Sequence, residues 1–195
     1  MESLDQLLKE CEHLHGHMCA GQLLGARMAV LGCKLIGIDD PKRLDRKKLL
    51  VWVEIDRCMA DAVSAVTGVR LGKRSLKYVD YGKVAATFLN VESGKAFRIV
   101  ALESSRALAD SKYPEIDNKS KRQFRAYSEA ADEELFRIAE VQVKLNDCDL
   151  PGKPRSRVLC SACGEGINDS RESTSETGEI LCRSCAHGGY YVAVL

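Results

Sequence analysis

Residues 160–185 hold Cys160-Ser161-Ala162-Cys163, eighteen intervening residues, and then Cys182-Arg183-Ser184-Cys185. Nothing else in the chain restricts its folding so tightly. Each CxxC turns through a knuckle that aims both sulfurs at one centre, and the span between is long enough for a small β-ribbon to go out and return. Four thiolates at tetrahedral corners suit Zn²⁺, with Zn–S near ~2.3 Å. The chain has nine cysteines, an odd number, and opens on the acidic, amphipathic MESLDQLLKE, which does not read as a secretion signal. A reduced, cytoplasmic setting is therefore expected, with metal rather than disulfides as the use of these thiols.

The chain of 195 residues has room for one core domain and a small appended module. Asn146–Arg157, with Pro151, Gly152, Pro154 and several charges, marks the transition. The expected division is an α+β core over 1–150 and a four-cysteine zinc ribbon over 151–195. A hydrophobic share of 45% and a charged share of 29% are those of an ordinary globular protein. No apolar run approaches the ~20 residues of a membrane-crossing helix.

A formal net charge of +1 offers no electrostatic case for nucleic acid. The tail sharpens this. Five bases (Lys153, Arg155, Arg157, Arg171, Arg183) meet five acids (Glu165, Asp169, Glu172, Glu176, Glu179), and four thiolates with one Zn²⁺ leave a net charge near −2. A protein partner suits that surface better than phosphates do.

Within the core, residues 2–12 fit a short amphipathic helix with Leu4, Leu7 and Leu8 on one stripe. From Met18 to Ile38 the three- and four-residue recurrence of Leu23, Leu24, Met28, Leu31 and Leu35 predicts a long buried helix. Its small and apolar surface is also the expected route to self-association. Gly21 and Gly25 lie on it, a costly choice in a helix interior that points to tight helix packing. Leu49–Ile55 reads as a central strand, and Met59–Thr67 as a helix closed by Gly68. Val84–Val91 and Ala96–Leu102 flank Glu92-Ser93-Gly94-Lys95, a hairpin pattern. Helices are expected at 104–111 and 118–136, and 138–145 fits either a helical extension or a strand.

A second group of metal-ligand types lies near the start, in His13-Leu14-His15-Gly16-His17-Met18-Cys19. On a helix His15 and Cys19 share a face; in an extended segment His15, His17 and Cys19 all point one way. Gly16 disfavours a continuous helix, so an extended approach is expected, with the next helix starting near Met18 or Cys19. A cysteine there has its thiolate favoured by the helix dipole. Cys58, just past the predicted central strand, can complete a site of mixed nitrogen and sulfur ligands, chemistry that suits Zn, Fe, Ni or Cu. The alternative is that Cys19 and Cys58 are small core residues and the histidines lie on the surface. For Cys11, Cys33 and Cys148, burial is the expected role. His187 is a spare ligand type beside an already complete cysteine set.

HLHGHMCAGQLLGARM resembles the opening signature of the FmdE family, named for the E-subunit of formylmethanofuran dehydrogenase, where an H-G-H-x-C-P-G segment leads into a long helix. VEIDRCMADAVSAVTGVRLGK and KYVDYGKVAATF are similar to that family's E-x-x-x-C-x-x-D-A block, its G-K turn and its D-Y-G-K stretch. The paired CxxC segments resemble the zinc ribbon that some members append, itself similar to the DksA/TraR type of zinc finger. The resemblance implies an α+β core, often an interleaved homodimer, and a metal-capable pocket to which His15, His17, Cys19 and Cys58 correspond. Glu54, Asp61 and Lys83 are among its matching polar positions. Ala20 stands where the family usually has proline, Val69 where many members have a second cysteine, and Arg74-Ser75 where a Gly-Asn pair follows the G-K turn.

Three functional readings follow. The first is a metal-binding accessory or regulatory protein, methanogenesis-related by resemblance, with Zn²⁺ in the ribbon and Zn²⁺, Ni²⁺ or Fe²⁺ in the core. The second is a metal-dependent enzyme in which three ligands leave a position open and Glu54 or Asp61 accepts a proton. For it, Arg70, Lys73, Arg74 and Lys77 offer a hold on a small anionic ligand, although a solvated loop explains them as well. The third is a transcription-associated or RNA-binding zinc protein, which the tail's charge opposes.

Overall fold

Ser3 starts the first helix, α1 (Leu4–His15), by accepting the Gln6 N–H, while the Gln6 side chain accepts the Ser3 N–H. This reciprocal pairing satisfies two of the donors that a helix start leaves open. Gly16, at φ +88°, closes α1 in a left-handed turn. The computed structural model describes residues 1–192 and 194, and the chain divides into two units, Met1–Lys144 and Leu145–Leu195. Asp147 and Asp149, which precede the expected boundary at 150, fall in the second unit because Arg155 and Arg171 bind their carboxylates.

The first unit is a mixed α+β fold. α2 (Ala20–Leu35) is the long buried helix, followed by β1 (Leu49–Val53), α3 (Cys58–Thr67) and β2 (Leu76–Tyr78). The hairpin β3 (Ala85–Asn90) and β4 (Ala96–Ala101) leads to α4 (Ser104–Lys112), α5 (Lys119–Glu129), the single turn α6 (Asp132–Leu135) and β5 (Phe136–Glu140). The sheet order is β2-β1-β3-β4-β5, with β1 and β2 parallel and every other pair antiparallel. β3 is central and buried along its whole length, as the VAATFLNV run demands.

The glycines of α2 set how closely its neighbours approach. A Cβ on Gly25 would lie 2.7 Å from the Met59 carbonyl oxygen and 2.8 Å from the Ala62 Cβ of α3. One on Gly32 would lie 2.3 Å from the Phe88 ring of β3. So α2 is pressed against both α3 and the sheet, and Leu23, Met28, Ala29 and Cys33 are buried in this unit's own core. The apolar face assigned to self-association is therefore spent internally.

Three expected elements are corrected. The 118–136 helix breaks at Ala130–Ala131, both extended, and Phe136 already belongs to β5. The cause comes from α2, where Arg27 donates to the carbonyls of Tyr127 and Ala130 (2.6 and 2.7 Å) and pairs with Asp132 at 2.6 Å. Those bonds satisfy the carbonyls at the end of α5. The 138–145 stretch contributes a strand rather than helix. Finally, β2 lies in a segment read as a basic loop.

The second unit contains a short 3₁₀ turn at Asp147–Asp149 and two two-stranded ribbons. β6 (Arg157–Leu159) pairs with β7 (Gly166–Asn168), and β8 (Ser173–Thr174) with β9 (Ile180–Leu181). The short α7 (Arg183–His187) follows Cys182. Among the described residues, no helix is long and apolar enough to cross a membrane.

Candidate metal centres

The two knuckles of the second unit bring Cys160, Cys163, Cys182 and Cys185 together, with all four sulfurs within 4.8 Å of one another. Cys163 and Cys182 Sγ are 3.9 Å apart. A tetrahedron with Zn–S of ~2.3 Å has edges of about 3.8 Å. The cluster thus has the size the ion needs. Its electrostatics also suit a cation. The N–H groups of Cys163 and Cys182, the latter at 3.2 Å, hold the Cys160 thiol down to about 6. The Cys182 thiol is lowered by the Ser184 hydroxyl at 3.1 Å and by the Cys185 N–H. Cys185, bonded to the Cys182 and Cys163 thiols, is pushed up to about 12. Protons are thus shared among crowded sulfurs that a single divalent ion would neutralise. His187 stands outside the set, its Nε2 3.3 Å from the Ser173 hydroxyl.

In the first unit three elements converge. His15 comes from the last turn of α1 rather than from an extended segment, because Gly16 turns the chain only after it. His17 lies in the turn, and Cys19 is the extended N-cap of α2 at φ −143°. The ligand atoms of His15, His17 and Cys19 lie within 4.8 Å of one another, and the two imidazole centroids are 4.6 Å apart. Cys58, the first residue of α3, is hydrogen-bonded to Cys19. Its thiol is pushed up chiefly by burial and next by that neighbour.

Gly21 explains how the two sulfurs meet. A Cβ there would lie 3.2 Å from the Cys58 Cβ, 3.7 Å from Cys19 Sγ and 3.8 Å from Cys58 Sγ. The packing role expected of the two helix glycines therefore holds for Gly25, whereas Gly21 gives α3 access to the site. Gln22, fully buried, donates to the Cys58 carbonyl at 2.8 Å and fixes the start of α3 against α2.

His15 carries the most telling geometry. Its Nδ1 is 2.8 Å from Asp61 Oδ2, and its Nε2 is buried with no hydrogen-bond partner. Asp61 reaches His15 because it follows Cys58 by three residues and so shares its helix face. A carboxylate on one imidazole nitrogen fixes the tautomer and leaves the other nitrogen to a metal. A buried ring nitrogen without any partner would otherwise be a cost. The donor set and the carboxylate behind it thus fit a transition-metal ion held by His15, His17, Cys19 and Cys58.

Glu54 is not available as a base. It is buried, and Arg98 holds both carboxylate oxygens at 2.6 Å. Lys83 reaches over the Tyr81 ring at 5.7 Å. The Arg74 position adopts φ +60°, a left-handed turn made here without the glycine that would favour it. Cys11 and Cys33 are buried, with thiols pushed up by burial to about 11 and about 12, and Cys148 lies 3.5 Å from the Ser170 hydroxyl.

A cleft of about 730 Å³ opens beside the core constellation, with His15, Cys58 and Asp61 in its wall. It runs between α3 and the edge strand β2, with Ile55, Ala60, Leu71, Leu76 and Tyr78 as its apolar sides and Arg70 among its polar groups. Arg70 Nη1 is anchored to the Ser64 carbonyl at 3.0 Å.

An α+β unit with a histidine–cysteine constellation, joined to a four-cysteine module, defines a class of metal-binding proteins. The model of the FmdE family, described as "FmdE, Molybdenum formylmethanofuran dehydrogenase operon", matches residues 14–145, and the chain belongs to that family. The chain is 29% identical over 207 aligned positions to a protein of Archaeoglobus fulgidus named "Probable S-adenosyl-L-methionine-binding protein". That match covers 98% of this chain and 55% of the relative, so the chain spans about half of the relative's length. In fold it resembles the crystal structure of an FmdE-like protein of the tungsten formylmethanofuran dehydrogenase type from Syntrophus aciditrophicus. The TM-score is 0.62 at 23% identity, covering 98% of this chain and 96% of that one.

Proposed function

We propose that this FmdE-family chain is a metal-binding accessory or regulatory protein. Its core unit holds one transition-metal ion through His15, His17, Cys19 and Cys58, and its tail holds a structural Zn²⁺ and docks a protein partner. The observation that carries the reading is the His15 side chain, held by Asp61 on Nδ1 and buried without a partner on Nε2. Zn²⁺, Ni²⁺ and Fe²⁺ are the candidate core ions on ligand chemistry. The family's description ties it to the operon of a formylmethanofuran dehydrogenase, which supports a protein partner for the tail. Self-association of the core rests on family likeness alone, and light scattering at micromolar concentration tests it. Elemental analysis of protein purified without chelators or affinity-tag metals tests the main reading. About two equivalents per chain supports it, and one equivalent confined to the tail removes the core site.

A metal-dependent enzyme is the second reading, favoured by the cleft that opens on His15, Cys58 and Asp61. A core ion would supply Lewis acidity there. With Glu54 committed to Arg98, Asp61 is the carboxylate left to accept a proton, and it would do so from its place on His15. The Archaeoglobus relative's name makes S-adenosylmethionine the first ligand to try, by calorimetry on the metal-loaded chain.

A further inference from the structure

The cleft has two chemically different ends. At one, Cys58, His15 and Asp61 belong to the core constellation; at the other, Arg70 is fixed by its bond to Ser64. Cys58 and Ser64 are both on α3, and the helical rise between them is roughly 9 Å. The wall joining them is apolar, built from Ile55, Ala60, Leu71, Leu76 and Tyr78. Leu71 and Tyr78 are exposed at the rim, so the cleft is open to solvent along its length. Its volume, about 730 Å³, falls within the range of small-molecule sites.

These features restrict what fits. A wholly polar metabolite would face an apolar wall without partners, and a simple inorganic anion would leave most of the groove empty. A hydrocarbon without a charged end would ignore the guanidinium. We propose that the groove seats an elongated small molecule with an apolar midsection. Its metal-coordinating group lies at the Cys58 end and a carboxylate lies on Arg70, roughly 9 Å further along α3. The inference rests on the core metal reading and adds the ligand class to it. Ser64 supports the far end twice over, since its hydroxyl donates to the Val69 carbonyl at 2.7 Å and also meets Arg70 Nη1. Arg70 is therefore held by the end of α3, and the distance between the two ends is set by one rigid helix.

That fixed distance can be measured with a molecular ruler. The full chain is loaded with Co²⁺ and titrated with mercaptopropionate, mercaptohexanoate, mercaptooctanoate and mercaptoundecanoate, and with the matching mercapto-alcohols. Thiolate-to-cobalt absorption reports arrival at the core ion, while the closed four-cysteine site gives a constant background. The expected result is a maximum in affinity at mercaptooctanoate, the member whose extended length best matches the span. There the acid should exceed its alcohol by about tenfold or more, the scale of a charge-assisted hydrogen bond. Arg70→Gln should erase that acid-over-alcohol advantage, and Ala60→Trp should weaken the long probes while sparing mercaptopropionate. Melting curves confirm that both variants are folded. Equal affinity for acids and alcohols, a steady rise with chain length, or an unaltered advantage in folded Arg70→Gln would overturn the groove while leaving the metal site standing. Absence of core cobalt bands before any thiol is added would overturn both.

Discussion

Asp61→Ala separates metal affinity from fold stability, because Asp61 contributes very differently to the two. Its carboxylate is half exposed, with 54% of the side chain accessible, and sits in the first turn of α3. Losing it there removes a favourable charge from a helix start, a matter of about 0.3–1 kcal/mol. Its other role is to hold Nδ1 of His15 at 2.8 Å, so that Nε2 faces the constellation as the free nitrogen. Without it the ring can rotate or take the other tautomer, and part of the population presents an N–H to the metal. Losing the partner that orients a ligand costs about 10–100-fold in affinity, about 1.4–2.7 kcal/mol. Solvent access to Asp61 places the expectation at the lower end, near tenfold. Asp61→Asn keeps an oxygen acceptor for Nδ1–H and should lose less. Competition between the protein and a chromophoric chelator for Zn²⁺ or Co²⁺ measures the affinity, and thermal unfolding of the metal-free chain measures stability. An unchanged core affinity in folded Asp61→Ala would refute the idea that this carboxylate orients a ligand.

Three further perturbations have defined outcomes. Cys160→Ser or Cys182→Ser should unfold the Leu145–Leu195 unit and expose it to protease while the helical signal of the first unit persists, since the metal supplies the folding energy of so small a module; a protease-resistant tail in circular dichroism and digestion experiments would count against zinc there. Gly25→Ala places a methyl 2.7 Å from the Met59 carbonyl and should destabilise the core by about 1–3 kcal/mol in denaturant unfolding, whereas Gly37→Ala meets no neighbour and should show only the smaller cost of a positive φ. Cys11 and Cys33 have thiols raised by burial from the ordinary 9.0 to about 11 and about 12. Because the folded values lie above the unfolded one, stability is intact below pH 9 and falls as pH rises through the folded values; unfolding curves of the wild type and of a Cys11→Ala/Cys33→Ala variant should diverge only above pH 9.

Local chemistry was legible in the sequence where it is local. The two CxxC knuckles, Gly68 as a helix stop at φ +72° and the β3–β4 hairpin each follow from residues a few positions apart. The core site was legible in its ligand types but not in its assembly. His15 arrives from a helix end because α1 runs further than its apolar stripe requires, and Gly16 rather than His15 makes the turn. The break at Ala130 has no glycine or proline to announce it; Arg27, about a hundred residues earlier, supplies the carbonyl partners that end α5 there. β2 was missed because Leu76–Tyr78 has too little pattern of its own and becomes a strand only by pairing with β1. Glu54 looked like a candidate base for the same reason, since its partner Arg98 lies on a different strand. In each case a contact distant in sequence decides the outcome.

The central claim is that imidazole and sulfur from α1, α2 and α3 hold an ion independently of the tail. Metal content of the full chain carrying Cys160→Ser and Cys182→Ser together, read by mass spectrometry of the elements, addresses it most directly. About one equivalent should remain, and it should be lost when Cys19→Ser and Cys58→Ser are added. A folded core that retains no metal once the tail cysteines are changed would contradict the claim.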